Sequence, residues 1–413
     1  MSILLLLLGV LVVFAVTVSF FPIRKDPLTG TSFAFGWLTS ELAGQFFVLN
    51  AVLAAFLVWG DGANRTIGRI GLGLDVLGAL GLLALAVIGR EARGVVTRSL
   101  RATPGFPVDP SDALRHPKWG RWWRVVMAIP LPGRGIEQCK NISYDEDGLR
   151  AHRLDIYRPA GGVEGAPVMI YVHGGAWIIG DKREQGKPMM FELVRHGWVC
   201  VSVNYRLSPK ATWPDHIVDV FHAIAWVKEH IGEYGGDPTF VALSGGSAGG
   251  HLAALAALSA GDPIFQPGFE DKDTSVDACI PIYGVLEMTG DPATSGIHGP
   301  GLKILLERQV MKCSIEENRP LFEAASPFHR VHAEAPPFLV LAGTNDTLVP
   351  LAVPRAFVPA LRAVSTQPVG YIELPLAQHA FDVMASPRCS ATTAGIVAFL
   401  DAVRTERSAA ADR

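Results

Sequence analysis

The chain has 413 residues, of which 49% are hydrophobic and 18% are charged, and its mean hydropathy is +0.28. This length allows one large core together with a second part, and the apolar excess near the N-terminus indicates membrane segments. With 36 basic and 39 acidic residues the net charge is −3, so composition gives no electrostatic basis for nucleic-acid binding.

Three apolar segments near the N-terminus have the length of membrane spans: residues 3–21, 42–59 and 70–89. A cleaved signal peptide is the alternative for the first, although no Lys or Arg precedes it and the run is long for such a signal. The third contains Asp75, which either marks a functional relay or reaches the interface or a neighbouring helix. We expect residues 1–92 to form a helical transmembrane region.

Basic residues set the expected orientation of these spans. Two follow the first span and two follow the second, whereas four follow the third: Arg24 and Lys25, Arg65 and Arg69, then Arg90, Arg93, Arg98 and Arg101. The first and third loops lie on one side of the membrane and together carry more positive charge than the second. The sequence therefore predicts a multi-pass protein of the cell membrane, with the N-terminus outside and everything beyond residue 90 on the cytoplasmic side.

Residues 93–136 are predicted to be a basic, Trp-rich interfacial linker. Within them, residues 115–124 (RHPKWGRWWR) interleave basic residues with Trp119, Trp122 and Trp123. This composition suits a segment at the lipid headgroups, but a helix whose tryptophans pack on the following domain explains it equally well.

After residue 137 short apolar runs alternate with longer helical stretches, which is the pattern of a mostly parallel sheet flanked by helices. An α/β domain is expected over residues 137–405, followed by a polar tail at 406–413. The predicted strands are 150–157, 167–172, 198–203, 239–244, 277–282, 337–342 and 369–374.

The connection between the fifth and sixth of these strands is unusually long, with about 50 residues from Gly284 to Ala335. It contains an apparent helix, GLKILLERQVM. Residues 285–335 are therefore expected to form either a cap over the active site or an elaborated crossover.

A candidate nucleophile follows the strand 239–244. The sequence GGSAGG places Ser247 in a GxSxG context between a strand and an Ala/Leu-rich helix. Small residues are needed on both sides because the turn is tight and the helix packs close to the strand, which leaves the serine hydroxyl exposed above the sheet. Ser247 is therefore predicted to be the nucleophile of a serine hydrolase.

Two further features complete this hypothesis. Upstream, HGGAW at 173–177 follows an apolar strand, so the N–H groups of Gly174 and Gly175, with that of Ala248, are candidate donors of an oxyanion hole. Downstream, the expected order is acid and then base.

Beyond residue 343 the chain has one histidine, His379, five residues past the last strand. Asp346 follows the preceding strand and is the only aspartate between 331 and 381. Asp382 is the alternative acid, but it comes after the histidine and breaks the expected order.

With HGGAW, VNYRLSPKATWPDHIVDV, GGSAGG, GTNDTLVP and HAFD in this order, residues 140–402 resemble the bacterial hormone-sensitive-lipase-like esterases of the α/β-hydrolase superfamily. The resemblance implies an eight-stranded sheet, a cap region, ester substrates, the triad Ser247, Asp346 and His379, and the oxyanion donors named above. Ala176 stands where many relatives have a third glycine, and Gly246 where they have an acidic residue.

The sequence favours a membrane-anchored carboxylesterase that acts on lipid or other apolar esters. An amidase or formamidase on the same scaffold is a close alternative, and a catalytically inactive receptor or scaffold is a more distant one. The five cysteines are widely spaced and contain no CxxC pair, so no disulfide framework is predicted and a reducing compartment is favoured. No metal or organic cofactor is expected, and nothing in the sequence identifies a protein partner.

Overall fold

A computed structural model describes residues 1–24, 27–106, 128, 131, 133, 135–295 and 300–411. The Trp-rich segment 115–124 lies outside the described residues, so both explanations of it stay predictions.

Eight strands form one sheet in the order β1-β2-β4-β3-β5-β6-β7-β8. The first two pairings are antiparallel and the remaining ones are parallel. This confirms the expected mostly parallel, eight-stranded fold. The strands are β1 (Ile136–Ser143), β2 (Arg153–Pro159), β3 (Ala166–Val172), β4 (Val199–Val203), β5 (Gly236–Gly246), β6 (Ala278–Ile282), β7 (Phe338–Gly343) and β8 (Val369–Leu374).

All seven strands predicted from the sequence are present within three residues at each end. The strand that the sequence did not predict is β1, an edge strand of sequence IEQCKNIS with no fully buried residue. A half-exposed edge strand lacks the continuous apolar run that identifies buried strands.

Helices precede the sheet and cover both of its faces. The helices are α1 (Ser2–Phe20), α2 (Thr29–Glu41), α3 (Ala43–Trp59), α4 (Thr66–Arg101), α5 (Lys187–Arg195), α6 (Asp215–His230), α7 (Ala248–Ala257), α8 (Pro292–Ser295), α9 (Pro300–Leu305), α10 (Ile315–Ala324), α11 (Ala352–Val364) and α12 (Pro387–Ala411).

The core has two layers because alternate residues of each buried strand face opposite sides of the sheet. In β3, Val168 and Ile170 pack with α6, α7 and α11, whereas Met169 and Tyr171 pack with α5, α12 and the end of α4. All seven residues of β3 are buried.

The helix α4 belongs to both parts of the molecule. It has 36 residues, and Val96 and Leu100 near its end are fully buried in the core beside the sheet. The division that we predicted between residues 92 and 93 therefore falls inside one continuous helix. At the other terminus, α12 extends through residues 406–411 of the predicted polar tail.

Two helices, α1 and α4, are long and apolar enough to cross a membrane. The pair α2 and α3 is bent by 90° at its junction and counts as a third candidate if taken as one span. The predicted spans 3–21 and 42–59 correspond to α1 and α3, and 70–89 lies within α4. The sequence did not predict α2.

Glycines bring α1 and α4 into close, parallel contact. A Cβ atom added at Gly71 would lie 2.5 Å from the backbone nitrogen of Leu6, and one added at Gly81 would lie 2.4 Å from the side chain of Val16. Small residues of this kind let helices approach closely in membranes. The end of α3 returns to the start of α1, since a Cβ at Gly60 would lie 3.3 Å from the Met1 side chain.

The long connection 285–335 holds the short helices α8, α9 and α10. Its predicted helix appears as α9 followed by a π-helical turn at Leu306–Val310. Val310, Phe322 and Ala325 are buried against the core. The segment thus packs on the sheet domain, and whether it works as a mobile cap stays a prediction.

Candidate active site

Three of the predicted site residues follow the carboxyl ends of parallel strands. Ser247 comes directly after β5, Asp346 three residues after β7 and His379 five residues after β8. The strands β5, β6, β7 and β8 are consecutive neighbours in the sheet, so their carboxyl ends share one edge. The fold therefore brings Ser247, Asp346 and His379 to the same edge.

Ser247 lies in a strained turn between β5 and α7. Its φ of 57° and ψ of −121° are rare for a residue with a side chain, and its backbone N–H donates to the carbonyl of Ile282 at 3.0 Å. A Cβ at Gly245 would lie 2.4 Å from the oxygen of Gly249, and one at Gly249 would lie 2.1 Å from the oxygen of Val172. The glycines are thus required for the sharp turn that leaves Ser247 partly exposed.

Asp346 and His379 form a buried hydrogen-bonded pair. The imidazole Nδ1 lies 2.7 Å from Asp346 Oδ2, and both side chains are nearly inaccessible to solvent. The other carboxylate oxygen accepts the backbone N–H groups of Leu348 and Val349, each at 2.8 Å. These donors fix the carboxylate, which in turn orients the ring so that its Nε2 is left for another group.

The alternative acid, Asp382, is engaged elsewhere. Tyr283 donates its phenolic hydrogen to Asp382 Oδ1, while its ring lies 4.4 Å from the His379 ring, centroid to centroid. Gly246, next to Ser247, is close to the same tyrosine, because a Cβ there would lie 2.9 Å from the Tyr283 hydroxyl. Tyr283 therefore links the serine turn to the histidine, a role that no sequence motif signalled.

Burial raises the pKa of Asp382 to about 6, although the Tyr283 hydrogen bond opposes the shift. Its second oxygen has no hydrogen-bond partner among the described residues. This carboxyl group therefore stays protonated to a higher pH than an ordinary aspartate.

The predicted oxyanion loop abuts Ser247. A Cβ at Gly174 would lie 3.1 Å from the Cβ of Ser247, which explains the need for glycine there. Gly175 has a φ of 118°, and a Cβ would lie 1.9 Å from the oxygen of Ile179. The N–H of Gly174 donates to Gln185 Oε1 at 2.9 Å, so this expected donor already has a side-chain acceptor.

His173 braces this loop from inside the core. Its Nδ1–H donates to the Gly174 carbonyl at 2.7 Å, and its ring stacks on Tyr205 at 4.5 Å. Burial lowers the pKa of His173, so the ring stays neutral. The Tyr205 hydroxyl donates to the carbonyl of His173 at 3.0 Å.

A different cluster has metal-ligand spacing. The ligand atoms of Asp145, Asp147 and His152 all lie within 4.8 Å of one another. His152 contacts Asp147 at 2.7 Å through Nδ1 and Asp219 at 3.1 Å through Nε2. Burial opposes charging, but the hydrogen bond and charge of Asp219 raise the pKa of His152. Both ring nitrogens of His152 thus face carboxylates, so we interpret the cluster as an ion-pair network.

Residues of the N-terminal helices reach the candidate site, which the sequence analysis missed. The ring of Phe33 lies edge-on to that of His379 with a centroid distance of 6.3 Å, and the Trp37 indole N–H donates to the carbonyl of Ala380 at 2.8 Å. Both residues belong to α2. Their segment lies between two predicted spans and carries no motif, so no signal in the sequence identified it.

Comparison with known proteins supports the prediction that this chain is an esterase. The family model described as BD-FAE matches residues 154–361. The chain is 42% identical to the probable carboxylic ester hydrolase LipM of Mycobacterium tuberculosis (strain ATCC 25618 / H37Rv), over 95% of this chain and 93% of LipM. It is also 42% identical to the esterase LipQ of the same organism, over 93% of this chain and 88% of LipQ.

Among solved structures, a truncated carbohydrate esterase from gut microbiota is similar to the chain with a TM-score of 0.56 and 23% identity. The match covers 65% of this chain and 96% of that structure. At this identity the likeness shows the fold alone.

The buried Asp382 makes a testable contribution to the pH dependence of stability. Because its pKa of about 6 exceeds the ordinary value of 3.8, the folded state binds more protons than the unfolded state between these values. This contribution is complete below about pH 4 and is lost as the pH rises through about 6. Asp382→Asn should remove it.

We expect the wild-type protein to lose on the order of 3 kcal/mol more stability than Asp382→Asn between pH 4 and pH 7. Thermal melting of the two proteins in the same detergent across this range measures the difference. If the melting temperatures of the two proteins change in parallel with pH, the raised pKa of Asp382 is contradicted.

Proposed function

Because the chain belongs to the BD-FAE family of hormone-sensitive-lipase-like domains and is a carboxylic ester hydrolase, we propose that it works through an acyl-enzyme on Ser247 and is anchored in a membrane. In this proposal His379 is the general base and acid, and Asp346 is its orienting partner. The observation that carries the proposal is the buried Asp346–His379 hydrogen bond at the sheet edge that also holds Ser247.

The chemistry follows from these positions. His379 takes the proton of the Ser247 hydroxyl as the serine oxygen attacks the ester carbonyl, and it then gives that proton to the departing alcohol. Water attacks the resulting acyl-serine with His379 again as base, which releases the carboxylic acid and restores the serine. Asp346 stabilises the imidazolium present in both steps without taking its proton.

Backbone N–H groups next to Ser247 are the proposed stabilisers of the tetrahedral oxyanion. Gly175 is on the loop that abuts the serine, and Ala248 begins α7 immediately after it. The positive end of the α7 dipole adds to the effect. The Gly174 N–H can donate to the oxyanion only if its hydrogen bond to Gln185 Oε1 breaks. We therefore propose the N–H groups of Gly175 and Ala248 as the main oxyanion donors.

The packing of the N-terminal helices supports membrane anchoring with the chain ends on opposite sides. The helices α1 and α4 run parallel, and both end at the sheet domain, where Ser19 of α1 contacts Asn345 and Leu100 of α4 is in the core. The helix α3 returns toward Met1. With three crossings in this order, the proposed topology has the N-terminus across the membrane from the catalytic domain, and the basic loops favour the cytoplasm for that domain.

An apolar cavity supports apolar, lipid-like esters as substrates. It has a volume of about 280 Å³ and lies among α1, α2, α3 and α4. Its walls include Leu11 and Phe35, and α2, which forms one wall, also carries Phe33 toward His379. The proposed active site therefore lies beside an apolar environment, as a lipid ester requires.

Replacing Ser247 tests the proposed nucleophile. Ser247→Ala should lower the hydrolysis of p-nitrophenyl butyrate by roughly 10³-fold or more, because no acyl-enzyme can form. It should also abolish covalent labelling by a fluorophosphonate probe. Rates and labelling are measured on the full chain in detergent micelles.

Ser259→Ala is the matched control. Ser259 lies just beyond the other end of α7, and its buried hydroxyl has no hydrogen-bond partner among the described residues. This variant should keep wild-type rates and labelling. Turnover that persists in folded Ser247→Ala would refute the acyl-enzyme proposal.

Protease protection tests the proposed topology. With different epitope tags at the two termini, sealed vesicles of known orientation should expose the C-terminal tag on the cytoplasmic face and the N-terminal tag on the opposite face. Both tags digested from one side would contradict the three crossings. A mature protein without its N-terminal tag would favour the signal-peptide alternative.

A further inference from the structure

The N-terminal region contacts both loops that carry the proposed acid and base. Asn345, next to Asp346, donates from Nδ2 to the carbonyls of Ser19 and Phe20 at the end of α1, at 2.7 and 3.3 Å. Arg24 donates to the carbonyl of Thr344 at 3.2 Å. The end of α1 therefore fixes the backbone that leads into Asp346.

The helix α2 contacts the loop of His379 in the same way. Besides the Trp37 hydrogen bond to Ala380, Gly36 lies against this loop, since a Cβ there would be 3.6 Å from Nε2 of Gln378. Gln378 in turn accepts the backbone N–H of Thr347 at 2.8 Å. The helix α2 thus packs on the loop of His379, and Gln378 of that loop is hydrogen-bonded to the loop of Asp346.

Two phenylalanines on α2 face different surroundings. Phe35 packs edge-on against Phe14 of α1 at 5.3 Å, within the helical region. Phe33 stacks on Trp37 at 5.9 Å with nearly parallel rings and presents its edge to His379. The ring of Phe33 remains partly exposed, as does Ser247.

We propose that α2 completes the active site: Phe33 contacts the apolar part of the ester bound at Ser247, and Trp37 positions the loop of His379. This inference rests on the proposed function of Ser247. A partly exposed aromatic ring beside the histidine offers apolar surface to a substrate that must lie between His379 and Ser247. The substrate class is an ester with an extended alkyl group, since a short one leaves this surface unused.

Chain-length preference tests the role of Phe33. We compare kcat/KM for p-nitrophenyl octanoate and p-nitrophenyl acetate with the full chain in detergent micelles. In Phe33→Ala the octanoate-to-acetate ratio should fall about tenfold, mainly through KM, because an apolar contact with the longer chain is lost. Phe33→Leu should retain most of the ratio.

Phe56→Ala is the control, with the same change on α3. Phe56 is exposed and lies near the end of α3 that returns toward Met1, away from His379, so this variant should keep the wild-type ratio. Equal ratios in Phe33→Ala, Phe56→Ala and the wild type would overturn the inference. If Phe33→Ala does not fold, as judged by melting and fluorophosphonate labelling, Phe33→Gln takes its place. It keeps side-chain bulk on α2 but removes the apolar surface, so its ratio should fall in the same way, and an unchanged ratio would overturn the inference.

Trp37→Phe tests the positioning role separately. It removes the N–H donor to Ala380 and keeps a ring against Phe33. We expect kcat for the acetate ester to fall several-fold with KM little changed, because the reacting geometry and not the binding surface is altered. An unchanged kcat would overturn this role.

Fluorophosphonate labelling of Ser247 distinguishes a failure of the proposed function from a failure of the proposed role of α2. If the fluorophosphonate does not label Ser247 in the wild-type protein, the proposed function fails. If the probe labels Ser247 in folded variants but the chain-length ratio stays constant, only the role of α2 fails.

Discussion

A buried ion pair between Glu41 and Arg388 joins the helical region to the sheet domain, and the position of α2 depends on it. The side chains are 0% and 1% exposed and meet at 3.0 Å. Ser386 donates to the second Glu41 oxygen at 2.6 Å, and Arg388 also donates to the Ser40 carbonyl at 3.0 Å. Removing one partner of such a pair typically costs about 3 to 5 kcal/mol, because the other charge stays buried. The end of α2 is therefore held at the start of α12, where Arg388 is nine residues from His379.

The second constraint is the shared carboxyl edge of the parallel strands. Ser247, Asp346 and His379 follow three separate strands, and they share one edge because β5, β6, β7 and β8 are neighbours in the sheet. The strain at Ser247 is tolerated because the Ile282 carbonyl and the close glycine contacts determine its backbone. Ser247 directly follows β5, whereas Asp346 and His379 lie on loops beyond their strands, and these are the loops that α1 and α2 contact.

Sequence reasoning succeeded where local rules govern the chain. Buried strands appear in the sequence as apolar runs, and the serine turn needs glycine. The expected order of nucleophile, acid and base pointed to Asp346 and His379, which the structure joins by a hydrogen bond, and their catalytic roles stay a proposal. It missed α2, β1, Tyr283 and Gln185, because each depends on long-range contacts that no local pattern encodes. Phe33 and His379 are 346 positions apart, and their contact follows from how a bent helix folds back over the sheet. The predicted boundary at 92/93 failed to anticipate α4 for the same reason, since this helix packs on α1 along its first part and enters the core of the sheet domain at its end.

These contacts give the N-terminal helices a role beyond the anchoring that we propose for them. An anchor that only tethers a catalytic domain needs a linker and few contacts with the active site. Here α4 enters the core, α1 holds the loop of Asp346, and α2 holds the loop of His379. Because the same helices would be embedded in lipid, a shift in their packing is transmitted directly to the two loops. If α2 contacts both the substrate and the membrane, as proposed above, we expect catalytic geometry and membrane insertion to be set together.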